Sequence, residues 1–350
     1  MKAGVLHGTR DLRVEEVADP TPGPGDVLVA VAYNGLCGTD TSEYGRGQKM
    51  VPLAARHPGS GHVGPTILGH EFVGEVVDAG QDARHLVGQR IACGAGVSCG
   101  WCTWCQAGRT NLCEAYYTLG LSTHGGLAEL VVAPAATCVR VPDDCSDDNA
   151  VLAQPLAVGL HAVRRAKPAP GSTVVLLGAG AIGSFVCVGL ADLDVQVVAI
   201  DIDEARLASV QRLGADEVHV VGSDATSDDL RAFVPAGADV VFETSGAPGA
   251  AARAADLAVR GGRVVQVGMP SQPQELDLAS LVLQEIDVRT TVAHVCDHDL
   301  PAALDLLTGR SLVDDLVGRV VALDDVVSDG LEPMLDGTAG GKVLVEVAHG

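Results

Sequence analysis

Three groups of residues in this sequence could do chemistry. In the stretch TILGHEFVGEVV, His70 and Glu71 stand side by side on a glycine hinge between apolar runs. Neighbouring side chains on an extended segment point to opposite faces, so one can ligate a metal while the other sits close behind it or swaps in. A Gly-His-Glu by itself reads as an ordinary turn. A thiol upstream at Cys37 and a cysteine cluster downstream weigh toward a metal. That cluster, Cys99-x2-Cys102-x2-Cys105-x7-Cys113, puts four thiols within fifteen residues. Four thiolates can wrap one tetrahedral Zn²⁺, and with every position used the ion would be structural. An iron–sulfur site or two disulfides are the competing arrangements.

The third group is Gly178-Ala179-Gly180-Ala181-Ile182-Gly183. It follows the apolar run VVLL and opens a helical stretch, the context in which such glycines bind a dinucleotide. Gly178 makes the tight turn, Gly180 lets the backbone approach a pyrophosphate, and Gly183 lets the helix pack on the strand. The helix N-terminus then faces the phosphates. A second apolar run ends in Asp201, about twenty residues on, where an acid accepts hydrogen bonds from the adenosine ribose and repels a 2′-phosphate. NAD is therefore favoured over NADP. Arg206, five residues later, is placed to pack near the adenine or to lie on the surface.

The elements that must position these groups are legible in outline. A chain of 350 residues fits two domains rather than one core. With 47% apolar but only 3% aromatic residues, that core has to be aliphatic. Short alternating segments up to residue 35, then FVGEVVDAG, GQRIACG and GGLAELVVAPAATCVRVPD, read as strands of an irregular β-barrel. Residues 45–65, rich in Gly, Pro and His, read as a long functional loop. From about Asp147 helical and apolar stretches alternate: VVLLG, VQVVAID, VVFETSG and RVVQVG as buried parallel strands, with helices between them. This is a doubly wound α/β domain. DLPAALDLLTG reads as a helix, and GKVLVEV as a last strand that could rejoin the first domain. The expected domains are 1–155 plus 294–350, with a metal lobe at about 94–115, and 156–293.

The net charge of −22 argues against nucleic acid or an anionic membrane as partner. No apolar run approaches the roughly 20 residues needed to span a bilayer. The N-terminal MKAGVLHGTRDLRVEE has no apolar signal segment, so a cytoplasmic protein is expected. In a reducing compartment clustered cysteines are better read as metal ligands than as disulfides. Cys93, Cys138, Cys145, Cys187 and Cys296 are isolated in the sequence and read as core.

With these pieces together the chain resembles the zinc-containing medium-chain dehydrogenase/reductase family over nearly its whole length. The residues that carry the likeness are Cys37-Gly38-Thr39-Asp40, Gly69-His70-Glu71, the four-cysteine lobe, the glycine turn with Asp201, VVFETSG and GGRVVQVG. Within that family it is most similar to butanediol and polyol (sorbitol-type) dehydrogenases, through Pro155-Leu156-Ala157 and the insert carrying His57-Pro58-Gly59-Ser60-Gly61. Threonine dehydrogenases share the CGTD and GHEFVGEVV wording.

The resemblance implies a GroES-like catalytic domain and a Rossmann domain. It also implies one catalytic and one structural zinc per chain, NAD as cofactor, a small-molecule alcohol or polyol substrate, and a homodimer or homotetramer. Cys37 and His70 would hold the catalytic zinc, with Glu71 as ligand or alternating partner. A thiolate, an imidazole and a carboxylate leave one position open for a substrate oxygen. The implied reaction forms a zinc-bound alkoxide that passes a hydride to NAD, with Thr39 taking the alcohol proton. Asp40 reads as structural, and Lys342 resembles the family's pyrophosphate contact. Residues 45–65 and Thr118–Gly126 are expected to line the substrate pocket.

Two positions depart from the family. Gln154 stands where polyol dehydrogenases carry a glutamate near or on the zinc, and a less negative shell should make the metal a stronger Lewis acid. Ser42 replaces a histidine that passes the proton outward; His57 or a water chain would have to substitute. The leading expectation is an NAD-dependent zinc dehydrogenase of a secondary alcohol: a vicinal diol, polyol or sugar-like cyclic polyol. One alternative is a threonine-type amino-alcohol dehydrogenase using Arg46, Lys49 or Arg56 as carboxylate clamp. The other is a non-catalytic nucleotide-binding relative.

Overall fold

The computed structural model describes residues 1–347. The chain divides into two compact units: Met1–Ala157 with the chain from His294 onward, and Val158–Ala293.

The first unit is organised around the strand Asp26–Leu36, whose alternating DVLVAVAYNGL sequence buries one face. It pairs antiparallel with Glu71–Ala79, Leu130–Pro134 and Lys342–Glu346. The last strand therefore returns to the first unit, where it also pairs in parallel with Val317–Ala322. Its register sets Leu344 against Gly35, and Gly35 against Glu71 on the other side. The core here is aliphatic apart from Phe72 and Tyr44, as 3% aromatic content requires. Among the described residues these strands belong to a seven-stranded sheet, and Asp11–Glu16, Lys2–Gly8 and Thr66–Ile67 form a three-stranded one.

A helix at Gly38–Arg46 was not expected from the sequence. GTDTSEYGR is polar and holds two glycines, so it shows no apolar period. Its start is fixed by Asp40, whose Oδ2 accepts from the Cys37 N–H at 2.9 Å. The following loop is well tied. The Glu43 carboxylate, buried on that helix, accepts from the backbone N–H groups of Lys49, Met50 and Val51 at 3.0–3.2 Å.

In the second unit, among the described residues, six strands form a parallel sheet in the order 217–220, 195–201, 172–177, 238–243, 258–266, 287–290. This is the doubly wound order of a dinucleotide-binding domain. The two outer strands, EVHV and DVRT, escape a reading by apolar runs because an edge strand is only partly buried.

Candidate active site

The sheet register and the Gly38–Arg46 helix bring Cys37, His70 and Glu71 together. One ligand atom from each lies within 4.8 Å of the others. Gly69 makes the hinge that aims His70. It sits at φ +92°, and a Cβ there would stand 2.7 Å from the Leu127 N and strike the Asn34 amide. Backbone bonds from Gly125, Gly126 and Leu127 to Ile67, Gly69 and Leu68 clamp the hinge from the other side.

His70 Nδ1 lies 3.4 Å from the fully buried Asp40 Oδ1. With Nδ1 facing Asp40, a His70 ring that gives up its other proton to a metal can offer Nε2. Burial works against a charged ring, but the Asp40 and Cys37 charges outweigh it and hold His70 well above the ordinary histidine range. Asp40 is thus both helix cap and neighbour of His70. Sequence reading assigned it a structural part only, because nothing in the order of residues sets position 40 against position 70. Thr39 Oγ1 stands 3.8 Å from the Cys37 sulfur. Ser42 lies half-buried on the same helix, and Gln154 half-buried in the first turn of the helix Ala153–Ala166.

Lys342 is neither on the surface nor free. It begins the last strand, its side chain is 4% exposed, and its ammonium contacts the Glu71 carboxylate, itself 1% exposed. Burial would lower its pKa; Glu71 and Cys37 reverse this and raise it. Lys342, expected as a pyrophosphate contact, lies in this structure against Glu71. A buried carboxylate and ammonium pair because each alone would be costly to desolvate.

The donor chemistry fits a zinc ion. A soft sulfur, an imidazole nitrogen and a carboxylate oxygen converge within 4.8 Å of one another. Zinc would be held by Cys37, His70 and Glu71.

Two stretches expected to line the substrate pocket are tied to one another, since Ser60 Oγ donates to the Ser122 carbonyl at 2.5 Å. His57 is a scaffold of this loop. Its Nδ1 accepts from the N–H groups of Gly59 and Ser60 at 3.2 and 3.1 Å. A proton relay through this ring would have to break both bonds. Arg56 donates to the Gly61 carbonyl, and Arg46 and Lys49 are exposed.

The four lobe cysteines also converge, their ligand atoms all within 4.8 Å. Cys99 and Cys113 sulfurs accept backbone N–H groups at 3.2–3.4 Å. Backbone donors at Cys105 and Glu114 draw the Cys102 thiol down to about 6, while burial pushes Cys113 up to about 11. All ten cysteines are free. Cys93 and Cys138, isolated in the sequence, face each other across an antiparallel pair.

In the second unit the glycine turn has the shape a dinucleotide needs. Gly178 takes φ +110°, where a Cβ would stand 2.8 Å from Thr244 Oγ1. At Gly180 a Cβ would meet open space, the approach left to a ligand, and a side chain at Gly183 would strike the Gly178 carbonyl. Thr244, which sequence reading passed over, donates to the Gly178 carbonyl at 2.7 Å and so braces the turn. Ile182 follows in the first turn of the helix Ala181–Leu190, half-buried. Asp201 accepts one backbone N–H on each oxygen, from Ala179 at 2.6 Å and Asp203 at 2.9 Å. Each oxygen keeps a lone pair for a vicinal diol. Arg206 is half-exposed, 3.4 Å from Asp203 and 4.0 Å from Asp201.

Comparison with known proteins gives the family. Residues 23–143 match the model of the alcohol dehydrogenase GroES-like domain, and residues 181–309 that of zinc-binding dehydrogenase. A sorbitol dehydrogenase of Arabidopsis thaliana is 31% identical over 98% of this chain and 94% of its own length. An (R,R)-butanediol dehydrogenase of Bacillus subtilis is 30% identical over 99% of both. An L-threonine 3-dehydrogenase of Shewanella baltica is 28% identical over 97% of both. The crystal structure of 2R,3R-butanediol dehydrogenase from Bacillus subtilis matches with TM-score 0.89 at 28% identity over 99% of both chains. Structures of an Escherichia coli CFT073 alcohol dehydrogenase with NADH (TM-score 0.89, 26% identity, 99% of both chains) and of a Sinorhizobium meliloti zinc-binding dehydrogenase with NADP (0.87, 31%, 99% of this chain and 98% of that one) are also similar. The chain belongs to the zinc-containing medium-chain dehydrogenase/reductase family of alcohol and polyol dehydrogenases.

Proposed function

We propose that this protein is an NAD-dependent oxidoreductase that removes a hydride from the carbinol carbon, and a proton from the hydroxyl, of a secondary alcohol. The preferred class is a vicinal diol, polyol or sugar-like cyclic polyol. The observation that carries the reading is the three-donor group Cys37, His70 and Glu71 with the Thr39 hydroxyl beside the sulfur.

Zinc, when bound, supplies a Lewis acid that lowers the pKa of an alcohol oxygen. Asp40, 3.4 Å from His70 Nδ1, would favour the tautomer that offers Nε2 to the metal. Thr39 Oγ1 takes up the alcohol proton; Ser42, one turn along the same helix, can hand on a hydrogen bond but cannot store the charge. Gln154, if it reaches the metal, adds no negative charge. NAD over NADP rests on Asp201, whose spare lone pairs suit a ribose diol and whose charge opposes a 2′-phosphate. Gly178, Gly180, Ile182 and Gly183 form the pyrophosphate turn, and Arg206 flanks the adenosine end.

The Cys99, Cys102, Cys105 and Cys113 group takes the structural zinc. A homo-oligomer is supported by the edge strand Asp287–Thr290 and the adjoining helix, where Val282 and Leu283 are 75% and 78% exposed. A cytoplasmic location is consistent with ten free thiols.

A threonine-type activity is the second reading, favoured by the Shewanella relative. It needs a cation for the substrate carboxylate, and Arg46, Lys49 and Arg56 remain the nominees. NAD reduction across diols, polyols, cyclitols, sugars and threonine, with and without a zinc chelator, decides between them. A chelator-sensitive rate with the polyhydroxy compounds supports the first reading. A rate confined to threonine supports the second, and no rate with any of them refutes both.

A further inference from the structure

We propose that Cys93 and Cys138 form a redox modification site: hydrogen peroxide joins them in a cross-strand disulfide that ties together the two ends of the segment 94–137.

Strand register carries it. Cys93 ends the strand Arg90–Cys93, Cys138 begins the strand Cys138–Arg140, and the two are antiparallel partners. Along this ladder the Gly94 N–H donates to the Thr137 carbonyl at 2.8 Å and the Val141 N–H to the Arg90 carbonyl at 2.9 Å. Hydrogen-bonded and non-hydrogen-bonded pairs alternate along antiparallel strands, so Cys93 and Cys138, one step in from Gly94 and Thr137, are a non-hydrogen-bonded pair. Such pairs hold their Cα atoms about 4.5 Å apart and their side chains close. A disulfide spans Cα separations of about 4.4–6.8 Å. The strands therefore need not move for the bridge to form.

The surroundings suit the reaction. Cys93 is wholly buried, and the Ala95 N–H donates to its sulfur at 3.3 Å. Burial raises the Cys93 thiol, but Cys138 and the Ala95 N–H outweigh it and draw Cys93 below the ordinary cysteine range. Cys138 is held well above that range by its hydrogen bond with Cys93. It lies half-buried on the edge strand of its sheet, which leaves an approach for a small uncharged oxidant. Cys296, the third thiol nearby, is engaged elsewhere. It donates to the Thr137 carbonyl at 3.5 Å, and burial pushes it up to about 12, so it stays protonated and a poor nucleophile.

The Cys93 thiolate attacks one peroxide oxygen. An S–O bond forms, the O–O bond breaks, and the departing hydroxide takes the Cys138 proton and leaves as water. The Cys138 thiolate then attacks the Cys93 sulfur; the S–S bond forms, the S–O bond breaks, and hydroxide leaves. Two electrons pass from the pair of sulfurs to the peroxide. Exchange with an external thiol reverses the bridge.

The test uses the full-length, zinc-loaded protein. It is treated with hydrogen peroxide, the remaining thiols are alkylated, and the linked residues are located by fragmentation mass spectrometry, with bound zinc counted in parallel. Two of the ten thiols should be lost at full zinc content, with Cys93 and Cys138 joined. The joined form should unfold a few degrees higher, because the bridge restrains the unfolded chain across 94–137. A phosphine reductant should restore both the thiols and the original midpoint. Cys93→Ala should abolish the bridge and the rise in midpoint, whereas Cys296→Ala should keep both. Should Cys93→Ala fail to fold, Cys138→Ala serves, since either removes the bridge. No bridge below the peroxide concentration that releases zinc, a bridge to Cys296 instead, or a Cys93–Cys138 bridge with an unmoved or lowered midpoint overturns the proposal.

Discussion

Replacing Asp201 by alanine separates recognition of the cofactor from integrity of the turn that holds it. The carboxylate does two things. It accepts the N–H groups of Ala179 and Asp203, and each oxygen keeps a lone pair that a ribose hydroxyl could use. Two charge-assisted bonds to ribose hydroxyls at about 1.5 kcal/mol net each amount to about 3 kcal/mol. That is roughly a hundredfold in NAD affinity, since each 1.4 kcal/mol is tenfold. The two backbone donors left behind weaken the turn as well, and thermal unfolding should register that as a fall of a few degrees. Damage to the turn acts on NAD and NADP alike; the missing charge does not. The KM for NAD should therefore rise about a hundredfold, while NADP, released from repulsion with Asp201, loses far less or improves. Steady-state kinetics with both cofactors measures this. If the two lose activity in equal proportion, Asp201 acts only through the turn, and the argument for NAD specificity fails.

Other outcomes follow from particular contacts. Gly69→Ala must place a side chain at φ +92° against Leu127 and Asn34; a loss of about 1–3 kcal/mol of stability is expected, with loss of the metal at the His70 site, seen by calorimetry and metal analysis. A fully loaded, equally stable variant would contradict the hinge. Thr244→Val removes the brace on the Gly178 carbonyl, at about 1 kcal/mol. The KM for NAD should rise roughly fivefold by the same arithmetic, with kcat and zinc content unchanged; a fall in kcat alone would contradict it. Both tryptophans of the chain, Trp101 and Trp104, stand in the cysteine lobe, Trp101 at 72% exposure. Cys102→Ser should lower zinc content by one per chain and shift tryptophan emission, and an unchanged spectrum at full zinc content would refute the lobe's assignment.

Much of this site is written in local sequence. Metal-binding spacings are short, so Cys99 to Cys113 and His70-Glu71 stand out directly. The glycine turn is legible because each glycine has a steric reason that the structure bears: open space at Gly180, tight contacts at Gly178 and Gly183. The buried parallel strands show as apolar runs; the edge strands 217–220 and 287–290, exposed on one side, do not. What the sequence hides is created by strand register. Asp40 meets His70 across a helix start, Lys342 meets Glu71 across Gly35, and Cys93 meets Cys138 across a strand pair. Each joins residues thirty to nearly three hundred positions apart, and no periodicity or spacing links them. The polar helix Gly38–Arg46 escaped for a related reason, since a carboxylate cap and not an apolar stripe defines it.

The central claim is that Cys37, His70 and Glu71 hold the metal on which the oxidation of a secondary alcohol by NAD depends. It is tested most directly by zinc reconstitution. Protein stripped of the more labile zinc is titrated with the ion, and NADH formation from a vicinal diol is followed against bound metal. The account predicts a rate that rises in proportion to zinc up to one equivalent beyond the lobe, and no such rise in His70→Ala. Full activity in the stripped protein, or a His70→Ala variant that regains activity with zinc as the wild type does, would contradict it.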